Sequence, residues 1–151
     1  MSYITSLPDR LCEWFSDMYE FEDCSFCTQF PSQIKETPLM KPVVVFGMKS
    51  IEIPEIQNDE ASEPDSEGRN VNEEFSAGIY VPRSKGGAYC NYILSRIADQ
   101  LLFNTELEIR KIKTEETVYV RNPDSLFMEL VFTVSETLHK GTDYPEPFVF
   151  E

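Results

Sequence analysis

Basic residues are scarce in this chain. Lys and Arg total 13 against 27 Asp and Glu, a formal net charge of −14 over 151 residues. That balance excludes sequence-independent binding to DNA or RNA, which depends on cations neutralising phosphates, and binding to an anionic membrane surface. No apolar run approaches the ~20 residues that cross a bilayer as a helix. The first residues, Met1-Ser2-Tyr3-Ile4, have neither the basic nor the apolar region of a secretory signal, so a soluble, cytosolic protein is expected. There is one histidine, His139, close to the end of the last predicted strand, and it reads as a surface residue with no nucleophile paired to it by motif. Gly86-Gly87 precedes a predicted helix, beside Arg83 and Lys85, but it lacks the G-x-x-x-x-G-K-[ST] and G-x-G-x-x-G patterns of phosphate and dinucleotide sites. It reads as a strand-to-helix turn, with anion binding the minority reading. No enzyme, metal or cofactor is expected.

What the chain does have is core material. Hydrophobic residues make up 41% and aromatics 13%, too much for disorder even at this charge. The length suits one domain. Ser6, Pro8 and Asp9 form a helix start, and Leu11, Trp14, Phe15 and Met18 then follow on one helical face. Residues 25–31 alternate with Phe26, Thr28 and Phe30 on one side and read as a first strand. Pro42 opens Val43-Val44-Val45-Phe46-Gly47-Met48, the strongest strand signal, extendable through Ile51 and Ile53.

Composition changes over residues 52–74, which hold nine acids and one base, Arg69, and so more than half of the net charge. Polar stretches this long inside a domain tend to be functional or disordered, and an acidic flexible loop is expected over about 55–74. Phe75, Ala77, Ile79 and Val81 alternate as a third strand up to Pro82. Cys90, Ile93, Leu94, Ile97, Ala98, Leu101 and Leu102 mark a helix over about 88–103. Leu107, Ile109 and Ile112 suggest a strand whose alternation slips once, as at a β-bulge. Val118 and Val120 form a short strand, Asn122-Pro123-Asp124 a turn, and Leu126 to Val134 a long final strand. The predicted class is α+β, order α-β-β-loop-β-α-β-β-β, with a mainly antiparallel sheet and two helices packed on one face. Residues 1–140 form the domain and 141–151 an extended tail carrying Phe148 and Phe150.

Four cysteines, with Cys24 and Cys27 in C-x-x-C spacing, lack a surrounding βαβ unit or further metal ligands at workable spacing. Ordinary half-buried thiols are the expected reading.

Three stretches, Ser6-Leu7-Pro8-Asp9-Arg10-Leu11, Pro38-Leu39-Met40-Lys41-Pro42-Val43-Val44-Val45 and Tyr80-Val81-Pro82-Arg83-Ser84-Lys85-Gly86-Gly87, together resemble small tail proteins of long-tailed bacteriophages. The nearest likeness is to the tail-terminator or tail-completion family at the head–tail junction. The resemblance implies a ring, usually a hexamer, that stops growth of the tail tube and offers a surface to the head connector or head-closure protein, while genomic DNA passes through the lumen. It also implies a virion location, with host cytoplasm during assembly. An acidic lumen would repel phosphates. The loop acids Asp59, Glu60, Glu63, Asp65 and Glu67, together with Arg83, Lys85, Phe148 and Phe150, are the expected contact residues, Arg83 and Lys85 meeting acids of a neighbouring subunit. The alternatives are a tail-tube or head-closure component, an acidic DNA mimic that inhibits a DNA-binding protein, and a small redox protein using Cys24 and Cys27.

Overall fold

A computed structural model describes residues 6–29, 39–54, 68–121, 124–139 and 145–149. The elements are α1 (Leu7–Ser16), β1 (Ser25–Cys27), β2 (Val43–Glu52), β3 (Gly68–Pro82), α2 (Gly87–Phe103), β4 (Glu108–Thr114), β5 (Val118–Val120) and β6 (Ser125–His139). One-turn 3₁₀ helices at Tyr19–Phe21 and Arg83–Lys85 join them. The strands form one sheet in the order β1-β2-β3-β6-β4, with β5 also on β6. All pairings are antiparallel except β1 with β2. The class is therefore α+β, as the pattern of elements predicts.

Alternation decides which face is buried. The odd residues of β3 from Val71 to Val81 are opposite the even residues of β6 from Leu126 to Glu136. With Val44 and Phe46 they form the face that both helices cover. The stripe Cys90, Ile93, Ile97 and Leu101 of α2 is buried on it, as are Leu11, Cys12 and Phe15 of α1. Phe15 is fully buried at the centre of an aromatic group. Its ring is 4.9 Å from Trp14, 5.4 Å from Phe21, 5.3 Å from Phe26 and 5.5 Å from Phe46. The two helical layers are tied by Glu20, which pairs with Arg96 and accepts a 2.7 Å hydrogen bond from Gln100 Nε2.

Several expectations shift. The acidic segment is shorter than 55–74, because β3 begins at Gly68: residues 68–74 all pair with β6, and residues 72–74 pair with β2 as well. Val71, with no exposed surface, anchors that part of the strand, and the five polar residues around it had masked its alternation. The first strand stops at Cys27, so Thr28 lies past it, and Phe30 lies outside the described residues. Ser6 stands at the N-cap of α1 but makes no side-chain capping bond. The slip expected near Ile109 is present as a register shift between Ile109 and Lys111. β4 and β5 are separate strands, as expected, and both pair with β6, at residues 130–135 and 125–127, along the same edge. The tail residues 145–149 have no regular secondary structure. No described helix is long and apolar enough to cross a membrane.

Candidate interaction surface

Both helices lie on the same side of the sheet, and the opposite face carries no helix among the described residues. Its proximal end, near the β3–α2 turn, is apolar: the Tyr80 and Phe127 rings approach to 4.7 Å. Gly78 belongs there for lack of room, since a Cβ would come within 3.0 Å of the Phe127 ring. The distal end, where β2 leads to residues 55–67 and β3 returns, is polar. A groove of about 810 Å³ runs across it, with Asn70, Asn72, Thr133, Ser135 and Arg110 in its lining. Ser135 Oγ donates to Asn72 Oδ1 at 2.6 Å and receives Arg110 Nε at 3.2 Å, while Thr137 Oγ1 donates to Asn70 Oδ1 at 3.1 Å. These cross-strand bonds hold a flat polar surface in register.

Two bulges place cations on this face. The register of β2 shifts between Met48 and Ser50, and the skipped Lys49 reaches Glu129 at 2.9 Å. That hydrogen bond, followed by the charge of Glu129, raises the Lys49 pKa. The register of β4 shifts at Arg110, which pairs with Glu108 at 2.9 Å. Re-aiming a side chain is a common role of bulges. Lys111 and Lys113 line an adjoining pocket with Glu74 and Glu115, so the face carries charges of both signs.

Among the described residues, both sheet edges are open at this distal end. β1 covers only Val43 to Val45 of β2, so from Met48 to Glu52 the strand has β3 on one side and no described strand on the other. Met48 and Ile51 are 40% and 43% exposed there. Across the sheet, β4 has β6 on one side and no described strand beyond it. An unpaired strand edge is a row of free N–H and C=O groups, a template for pairing with another chain.

Of the residues singled out from the sequence, Arg83, Lys85 and Phe148 are among the described residues. Arg83 and Lys85 share the turn that follows β3, about 45 Å along the strand from its start at Gly68 at roughly 3.3 Å per residue. Arg83 already has partners within the chain, Asp124 at 3.8 Å and the Tyr119 ring at 5.5 Å. Lys85 lies over Tyr89 at 5.8 Å. Gly86, at φ +84°, makes this turn possible. Phe148 is 83% exposed. Asp59, Glu60, Glu63, Asp65, Glu67 and Phe150 lie outside the described residues.

The thiols are not arranged for redox work. All four cysteines are free. Burial, then the charge of Asp23, pushes Cys24 up to about 11, and burial raises Cys27 as well. A reactive C-x-x-C needs the opposite shift. Among the described residues no group of three or more His, Cys, Asp or Glu is placed to hold a metal ion.

The sequence reading overlooked the open edges and one buried acid, Glu73. Its signal was visible, since Val71, Glu73 and Phe75 alternate, but the surrounding charge read as loop. No family model matches the chain, and no curated protein matches its sequence.

Proposed function

We propose that this chain is a structural assembly protein of a long-tailed phage virion, a tail terminator that forms a ring on the tail tube and joins it to the head connector. The observation that carries the reading is the distal half-sheet, which among the described residues is open at both edges and bare and polar on one face. Two unlike edges on one subunit suit a head-to-tail contact, and such contacts generate rings when the rotation closes. Edge-to-edge pairing of β2 with β4 of a neighbour would continue the sheet around the ring, with the helices on one side and the polar face on the other. The three stretches that resemble tail proteins support the same reading by their positions. They form the start of α1, the entry to β2, and the turn from β3 into α2. The net charge of −14 suits a lumen through which DNA slides. A DNA mimic fits less well, because the ordered bare face carries Lys49, Arg110, Lys111 and Lys113 among its acids.

Light scattering after gel filtration tests the ring. The expected mass is about six times the 17.5 kDa chain, and a particle that does not lengthen when concentrated. A strict monomer at every concentration contradicts the ring, and open-ended growth points to a tail-tube subunit instead.

A further inference from the structure

Glu73 sits on the core face of β3 between Val71 and Phe75, with 1% of its surface exposed. Its neighbours in the sheet are Ile51 on β2 and Val134 on β6. Ile109 of β4 is paired with Val134, and α2 buries Leu101 in the same core. No hydrogen-bond partner reaches either carboxylate oxygen. Among the described residues, the charged group beside it is Glu136, at the next core-facing pair along β6, where it is opposite Val71.

We propose that Glu73 and Glu136 form a proton-operated latch: with one proton held by the pair the distal end of the sheet is closed, and without it that end loosens. Two adjacent carboxylates resist ionising together, the more so because Glu73 is buried among apolar neighbours while Glu136 is half-buried at the polar groove that Glu108, Arg110 and Lys111 also line. A buried carboxylate with no donor is also costly to keep. The hydrogen bond open to the pair is one that a bound proton supplies, donated by one carboxyl to the other. Burial first, then the charge of Glu136, push the Glu73 pKa from 4.5 up to about 7. The proton comes from solvent and returns to it, so nothing else is consumed.

The sign follows from linkage. The native state keeps a proton that the unfolded chain loses above about 4.5, so this part of the stability is complete below that pH and disappears as the pH rises through about 7. The loosening is local, because Glu73 stands at the end of the sheet that also has open edges. In a ring the latch would therefore govern the pairing edges. That consequence rests on the proposed function, whereas the latch itself is read on the isolated chain.

The test is hydrogen exchange across pH on the full chain, expressed as protection factors. Between pH ~5 and ~8, opening of amides 70–75 and 132–137 is expected to increase at least ~10-fold relative to amides 78–82. Glu73→Gln, a neutral isostere of the protonated acid, should remove that dependence. Glu136→Gln should move the midpoint to lower pH by removing the like charge. A carbon-detected NMR titration of the Glu73 carboxyl should give a midpoint near 7. A midpoint in the ordinary glutamate range, or equal pH dependence in wild type and Glu73→Gln, overturns the latch. If Glu73→Gln fails to fold, the NMR midpoint and the Glu136→Gln shift decide the question, and neither depends on ring formation.

Discussion

At the scale of single residues, burial explains most of what the chain can and cannot do. Phe15 has no exposed surface and touches four other aromatic rings. Phe15→Ala should cost about 3–5 kcal/mol, read as a lower urea midpoint, because α1 and β1 lose their shared centre. The cysteines behave as core atoms. With Cys24 at about 11, its alkylation by iodoacetamide should accelerate about tenfold per pH unit from neutral to pH 10. A rate already at its plateau near pH 7 would reveal a stabilised thiolate and revive a redox role. Individual core residues were legible in the sequence wherever apolar alternation stood alone, as at Phe75, Ala77 and Ile79. Glu73 was not, because a buried acid looks identical in sequence to the exposed Glu74 beside it. Only the phase of the alternation, fixed by Val71 and Phe75, tells them apart.

At the scale of elements, periodicity identified both helices, the strong strands and the bulge in β4. It could not reveal which strands pair. The parallel contact of β1 with β2, and the alignment of β4 and β5 along one edge of β6, come from long-range register that local patterns do not contain. The open edges followed from that register, which is why they were missed while Arg83 and Lys85 were noticed for their charge. Met48 is on an open edge and 40% exposed. A charge there is a known guard against strand addition. Met48→Lys should leave stability within ~1 kcal/mol of wild type while weakening self-association at least tenfold, measured by sedimentation. Equal association of both proteins would place the contact elsewhere. The strands that flank the acidic segment end at Glu52 on β2 and begin at Gly68 on β3. Replacing residues 56–66 with Asn-Gly should therefore preserve the circular dichroism spectrum and the unfolding transition and impair assembly. Loss of folding would show that the segment contributes to the core.

At the scale of the whole molecule, the −14 charge is divided between an acidic segment and a domain whose bare face is nearly balanced in sign. Helices bury one face of the sheet, and among the described residues no helix covers the other face and no strand extends the two distal edges. That arrangement suits the assembly role proposed above. The central claim is that these surfaces close a ring on a tail tube. Electron microscopy of the purified protein, with and without tail tubes, tests it most directly. The account predicts rings in the free protein and a single ring capping one end of each tube, with tube growth halted. Free monomers, together with tubes that stay uncapped and continue to lengthen, would contradict it.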